Sequence, residues 1–362
     1  MLYISNADVH SLLDTKTCLD ALRAGYQDLA RGDAAYIPRI DIHAPTGRDD
    51  DYYRWGSMSG VCRSMGVVAT RIKSDVVSWP GGETEEKYCI EPGTYSGIIL
   101  LYAITDGEPL AMMNDGVLQH MRVGGSAGLG AEVLSREDSS VLAMVGSGGM
   151  AETYLEAIAA VRPLRLVKVY SPTKDHREAY AREMARRLEI EVVAVGAPEE
   201  AVRGSDIVST ATDSMSPTFD AAWVEPGAHV TCVSRRELDK AILGRADVIV
   251  QLGTGTIPAG ANVPGLEWTY GGVASYITGQ PEERKRLPSS AHAELGEYTS
   301  LVELQTGQAA GRTNPEQVTL FINSGTQGLQ FAAVAGRTYQ LAKERGLGQP
   351  MPLEWFLQDI RD

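Results

Sequence analysis

The chain has 362 residues, 43% of them hydrophobic, and 33 basic against 47 acidic side chains give it a net charge of −14. That length implies two domains with substantial cores, and the acidic balance disfavours nucleic acid or an anionic membrane as partner, leaving a small substrate whose anionic groups are met locally. Cys18, Cys62, Cys89 and Cys232 are too widely spaced for a zinc site or a disulfide framework, no metal site is suggested, and neither a signal-like N-terminus nor an apolar run of ~20 residues is present, so a cytoplasmic protein is expected.

In chain order, Ser5-Asn-Ala-Asp8 reads as a helix cap, and Leu12, Leu13, Leu19, Leu22 and Tyr26 predict one helix over about 9–31. Strands are expected over 53–58, 67–72 and 96–102, the last running into the turn Thr105-Asp-Gly-Glu-Pro109. Such a mixture suggests an α+β domain that supplies the substrate side. A helix over 115–134 then leads into a different pattern.

Val141-Leu-Ala-Met-Val145 is a short apolar run that breaks into Gly146-Ser147-Gly148-Gly149-Met150-Ala151 and a helix-forming segment. This is the strand, turn and helix start that cradle a dinucleotide pyrophosphate. Gly146 permits the sharp turn, Gly148 lets backbone approach phosphate, and a small residue at 151 lets helix and strand pack closely. Glycine turns also join strands to helices for purely structural reasons, but the context favours the nucleotide reading. Strands over 166–170, 191–195, 207–212, 228–233 and 247–252 alternate with helical stretches, as a parallel sheet covered on both faces requires. The fold class is therefore α/β, with a Rossmann-type dinucleotide-binding domain over 135–314. A discontinuous α+β substrate and dimerisation domain is expected from 1–134 and 315–362, the terminal helix over 326–344 returning to it. Pattern alone does not settle 265–312.

After the second strand of that unit, an NAD-selective fold places an acid on the ribose 2′-hydroxyl. Here the strand ends Tyr170-Ser171-Pro-Thr173-Lys174-Asp175-His176-Arg177. Hydroxyl and basic groups stand where a 2′-phosphate would sit, so NADPH is expected with Ser171, Thr173, Lys174 and Arg177 as its ligands and NADH as the alternative. Thr210 and Thr212, at the end of a later strand, complete the cofactor residues. Two other readings stay open: Thr173 caps the next helix whose solvated face carries Lys174 and Arg177, or Asp175 is the missing acid. In the first domain Arg39, Arg71, Lys73 and Arg122 are candidates for binding a carboxylate, and Arg71 and Lys73 project from one face of a strand. The charged run between Ser74 and Tyr95 either covers the substrate, lies at a dimer surface, or is a solvated loop.

The chain resembles the ornithine cyclodeaminase and mu-crystallin family over nearly its whole length. The matching pieces, in order, are Ile37-Pro-Arg39, Ala69-Thr-Arg71-Ile72-Lys73, Thr105-Asp-Gly107, Asp115-Gly with Arg122, and Gly146-x-Gly148-x-x-Ala151. They continue with Gly204-Ser-Asp206-Ile-Val-Ser-Thr210, Trp223-Val-x-Pro226-Gly227-Ala228-His229, Arg236-Glu-Leu-Asp239 and Asn323-x-Gly325. The resemblance implies a homodimer and hydride chemistry at the α-carbon of an amino acid. Carried over by position, Arg39 and Arg122 hold the substrate carboxylate. The family's active-site lysine falls nearest Arg71, with Lys73 two residues on, so catalysis rests with Lys73 or Arg71; only a lysine sheds a proton near neutrality.

Departures from the family sharpen the expectation. Val233-Ser-Arg-Arg236 is about five residues shorter than the corresponding loop of the cyclodeaminases and lacks their acid. Met150 stands where the family often has Gln, and Gln330 where it often has Asp. The reading that fits is an NAD(P)H-dependent reductase of imino acids, taking a ketimine or a 2-oxo-acid-derived imine to the amino acid. The alternatives are an ornithine- or lysine-type cyclodeaminase or amino-acid dehydrogenase, and an NADPH-dependent small-ligand-binding protein of mu-crystallin type.

Overall fold

A computed structural model of the chain describes residues 1–253, 266–269, 272–288 and 298–360. Two sheets organise it. The second, with eight described strands, is parallel throughout these, in the order Glu191–Ala194, Leu166–Tyr170, Val141–Val145, Ile207–Thr210, His229–Cys232, Thr319–Ile322, Val248–Gln251 and Thr299–Ser300. The order reverses between Val141–Val145 and Ile207–Thr210, and such a switch point opens a crevice at the carboxyl ends of the strands. Helices Gly149–Ala159 and Lys174–Leu188 cover the sheet through Tyr154, Leu155, Ile158, Tyr180 and Met184, all buried.

The first sheet, with eleven described strands, is built on long antiparallel strands, Asp51–Cys62, Val67–Ser78 and Ser96–Ala103. Buried and partly exposed positions alternate throughout Val67–Ser78. Helix Gln327–Arg345 lies on one face, so close that a Cβ on Gly328 would fall 1.9 Å from the Ser59 carbonyl oxygen. The opposite face is partly open and mixed, with Ile42 38% and Ile98 40% exposed and Ser57, Ser59, Thr70 and Ser74 among its outward residues. Helix Gly116–Leu134 joins the two units, and its run of small residues lets Thr153 of helix Gly149–Ala159 approach within 2.4 Å of where a Gly124 Cβ would stand.

The expected first helix is two, Asn6–Leu12 and Thr15–Arg31. Ser5 caps the first, as anticipated, and the Asp14 carboxylate accepts from the Thr17 amide to start the second. A short acidic side chain competes for backbone donors and so interrupts an apolar pattern that alone would continue. The boundaries drawn from the sequence cut across both sheets. Thr319–Ile322, assigned beyond 315 to the substrate domain, pairs with His229–Cys232 and Val248–Gln251 in the centre of the parallel sheet. Leu266–Thr269 and Gly272–Ile277, assigned to the dinucleotide unit, extend the first sheet beside Ile40–Pro45. Strand partners are fixed by non-local pairing, which composition along the chain does not report. Among the described residues, no helix is long and apolar enough to cross a membrane.

Candidate active site

At the switch point the glycine turn has the geometry its sequence implied. Gly146 has φ +118°, a region that side chains disfavour, and a Cβ there would lie 2.3 Å from the Ala211 carbonyl oxygen. Gly146 thus sits against Ala211 and Thr212 beyond the next strand of the sheet. Gly148, the cap of helix Gly149–Ala159, faces open space, with nothing within 4 Å of an ideal Cβ. The amide groups of this helix start are accessible, so the cradle fits the diphosphate of a dinucleotide. Ser147 Oγ donates to Ser171 Oγ at 2.9 Å, closing one wall. Met150 is half-buried behind the turn.

The second-strand residues separate. Arg177 lies against the Tyr170 ring and donates to the Ser171 carbonyl at 2.9 Å, so its guanidinium is held at the strand end. Lys174 points to Glu178 at 3.7 Å on the exposed helix face, and Thr173 stands at the N-cap position without a side-chain capping bond. Asp175 is exposed in the first turn, away from the strand end.

The inner face of the first sheet carries the remaining chemistry. Register aligns Asp41 with Gly56, Gly56 with Lys73 and Lys73 with Gly97, and one row over aligns His43 with Arg54 and Arg54 with Asp75. Because successive side chains alternate, Arg71, Lys73 and Asp75 all face inward, buried to within 3% exposure. The row contains glycines because its neighbours fill their space. A Cβ on Gly56 would meet Asp41 Oδ1 at 2.4 Å, and one on Gly97 would meet the Asp115 carboxyl at 2.1 Å.

Two neighbouring polar groups result. In one, Arg71 Nε donates to Asp115 Oδ2 at 2.6 Å and its Nη2 to Tyr95 Oη at 2.8 Å. The Phe331 ring lies 5.7 Å from the Arg71 guanidinium and 4.8 Å from that of Arg122. Arg122 is buried, and its hydrogen bonds go to amide oxygens, Gln119 Oε1 at 2.8 and 3.3 Å and Gln330 Oε1 at 2.8 Å. Burial, reinforced by the charge of Arg71, pulls its pKa down to about 9. Gln330 is fixed in turn, its Nε2 donating to Tyr26 Oη and Thr326 Oγ1, both at 3.1 Å. Thr326 adopts φ +54°, unusual for a β-branched residue, at the start of helix Gln327–Arg345.

In the other group, Arg39 Nε donates to Asp41 Oδ1 at 2.9 Å, while Arg54 grips Asp75 with two bonds of 3.0 and 2.7 Å. Lys73 Nζ is 3.6 Å from Asp75 Oδ1. Burial, together with Arg39 and Arg54, lowers the Lys73 ammonium well below its ordinary range against the opposing charges of Asp41 and Asp75. Arg71 goes the other way: burial disfavours its charge, but Tyr95 and Asp115 outweigh that and raise its pKa. Arg39 thus stands with the Lys73 group and Arg122 with the adjoining Arg71 group.

Asp41, Arg54, Asp75 and Gln330 complete these groups and did not stand out as site residues. Charges recurring at every second position, Arg71-x-Lys73-x-Asp75 and Asp41-x-His43, were the available signal, since an inward face that should be apolar carries them. His120 is a further residue without a sequence signal: its Cε1 comes within 3.3 Å of an ideal Gly149 Cβ, over the helix start. Replacing Gly97 by alanine is expected to displace Asp115 and break its buried pair with Arg71, at a cost of about 3–5 kcal/mol. Denaturant unfolding checks this, and a loss below about 1 kcal/mol would show that Asp115 has room to move.

A family model described as the ornithine cyclodeaminase/mu-crystallin family matches residues 2–340. A Δ1-pyrroline-2-carboxylate reductase of Bacillus cereus is 30% identical over 260 residues, 70% of this chain and 74% of the relative. Among solved structures, the Δ1-pyrroline-2-carboxylate reductase of Thermococcus litoralis in complex with NADH and L-proline is similar with a TM-score of 0.74 at 23% identity, covering 97% of this chain and 100% of that one. The iminosuccinate reductase of Paracoccus denitrificans in complex with NAD+ has a TM-score of 0.72 at 19% identity, covering 96% and 98%. At these identities the two structures establish likeness of fold.

Proposed function

Because the chain belongs to the ornithine cyclodeaminase/mu-crystallin family, we propose that it is a nicotinamide-dependent oxidoreductase that reduces the C=N bond of an imino acid to give the amino acid. The observation that carries this reading is Arg122, a buried guanidinium whose hydrogen bonds all end on neutral amides. A desolvated charge of this kind is completed by an anion, and a planar guanidinium suits a carboxylate. The names of the Bacillus cereus and Paracoccus denitrificans relatives, reductases of cyclic and acyclic imino acids, support the same direction. The turn Val233–Arg236 contributes no carboxylate, and the next acid, Glu237, is spent on the backbone amides of Thr212 and Ser234 at 2.5 and 2.7 Å. That disfavours cyclodeamination, in which the family uses an acid from this turn.

In the proposed reaction Arg122 holds the substrate carboxylate, with the Phe331 ring as the apolar wall beside it. Lys73 keeps the imine nitrogen protonated, which makes the adjacent carbon the better hydride acceptor. Reduced nicotinamide, when bound, supplies the hydride. Arg39 and Asp41 hold the neighbouring end of the pocket, and Arg71, locked to Asp115, shapes the floor. Gly146, Ser147, Gly148 and Gly149 seat the diphosphate, and Thr210 and Thr212 line the far side of the crevice. Arg177, with Ser171, favours NADPH through the 2′-phosphate, while the placement of Lys174 and Thr173 gives them lesser parts. The open face of the first sheet, with Ile42 and Ile98 among its exposed residues, is the proposed homodimer surface.

The test is oxidation of NADPH and NADH by the purified protein against cyclic ketimines, and against pyruvate, glyoxylate and oxaloacetate each with ammonia or methylamine. Oxidation with at least one imine, faster with NADPH, is expected. Tight NADPH binding without oxidation of any imine, or of any amino acid in reverse, would overturn the reading in favour of a cofactor-dependent binding protein.

A further inference from the structure

We propose that Glu85 is a positioning residue for this reaction, carried by a strap that ties the loop beyond Thr212 to the lysine holding the substrate proton; the proposal rests on the imine-reductase reading above. The strap leaves strand Val67–Ser78 at Trp79 and rejoins the sheet near Tyr95. Its sequence, with Glu83, Glu85, Glu86, Lys87 and Glu91, has the composition of a solvated loop. It is instead held on two sides.

On one side, Glu86–Tyr88 pairs antiparallel with Val76, Val77 and Ser78 of the sheet. On the other, the Glu85 amide donates to the Asp213 carbonyl at 3.0 Å, the Met215 amide donates to the Glu83 carbonyl at 2.8 Å, and Thr84 bridges Ser214. Residues 213–215 follow Thr212 directly, at the carboxyl end of the parallel sheet where the dinucleotide crevice opens. The strap therefore joins the two sheets at the site itself.

This anchoring presents the Glu85 side chain, 14% exposed, to Arg54, with Oε2 3.5 Å from Nη1. Arg54 uses its Nε and Nη2 on Asp75, and Asp75 faces Lys73. A buried arginine shared by two carboxylates leaves part of the Asp75 charge for Lys73. Without Glu85, the whole guanidinium charge falls on Asp75, and Lys73 stands among one more uncompensated cation. The charged groups acting on Lys73 are Arg39, Arg54, Asp41 and Asp75, with the neutral imidazole of His43 beside them, and Glu85 is faced in turn by Arg54, Lys87 of the strap and Arg236 of the turn after His229–Cys232. Burial opposes ionisation of Glu85, but Arg54, Lys87, Arg236 and Lys73 outweigh it and hold the carboxyl at about 2, so it is a fixed negative charge at every working pH.

The experiment compares Glu85→Gln and Glu85→Asp with the wild type. Glu85→Gln keeps shape and the strap's backbone bonds and removes only the charge. Its NADPH dissociation constant should stay within about twofold. On the alkaline side its kcat should fall by about tenfold, as the limb of kcat against pH moves down by about one unit. Glu85→Asp should recover part of that displacement. The Lys73 titration is also read directly by NMR of lysine-labelled protein, its signal assigned by absence in Lys73→Met. A lower midpoint in Glu85→Gln supports the proposal even where no imine has been turned over. An unmoved midpoint and limb, with kcat within twofold of wild type, overturns it. Failure of the wild type to reduce any imine strikes the parent reading, while the NMR midpoints still decide the role of Glu85.

Discussion

Replacement of Arg122 by methionine is expected to lower kcat/KM for imine reduction by about a hundredfold or more, equivalent to about 3 kcal/mol, while NADPH binding persists. The helix Gly116–Leu134 places Arg122 beneath solvent, and its fork meets Gln119 and Gln330. Two amide oxygens orient a guanidinium without neutralising it. Among the described residues no carboxylate hydrogen-bonds to it, and the nearby charge of Asp115 offsets the desolvation only in part, an arrangement that favours a bound anion over the fold. Methionine fills a similar volume without that cost. Thermal unfolding of Arg122→Met should accordingly match or exceed the wild type, so that lost turnover is not a folding defect. Equal turnover in the variant would remove Arg122 from the carboxylate site and return attention to Arg39.

How much of this was legible in the sequence follows from which features are local. The turn Gly146-x-Gly148 was readable because a sharp turn and a close backbone approach leave only glycine at those positions, and the structure uses Gly146 in that way. The shared face of Arg71 and Lys73 followed from strand periodicity alone. The partners of those residues did not. Asp115 reaches Arg71 from 44 positions away, and Gln330 reaches Arg122 from 208, so tertiary closure and not spacing decides them. Arg54 and Asp75 meet because Asp51–Cys62 and Val67–Ser78 pair in one register; a slip of one residue would put them on opposite faces. The strap was legible as a charge run, and composition favours solvent for such a run. What reverses that is the bridge to residues 213–215, a contact between segments about 130 residues apart.

The second large effect is expected at Lys73. Of the two residues nearest the family's lysine, Arg71 is engaged by Asp115 and Tyr95 and keeps its proton, whereas Lys73 is placed where burial and two arginines favour the neutral amine. Lys73→Met should lower kcat by about 10²–10⁴-fold, the usual range for loss of a positioned acid. The pH dependence gives the assignment its sign. Reduction uses the protonated lysine, so activity is present below its pKa and is lost as pH rises through it. Because that pKa lies well below 10.5, the decline begins well before the range of an ordinary lysine. Oxidation of the amino acid uses the neutral amine, so the reverse rate should climb over the same interval. Mirrored limbs in the two directions, both absent in Lys73→Met, identify one group acting as acid one way and base the other. Retention of either limb in the variant would pass the proton to water or to another side chain and leave Lys73 a purely electrostatic part of the pocket.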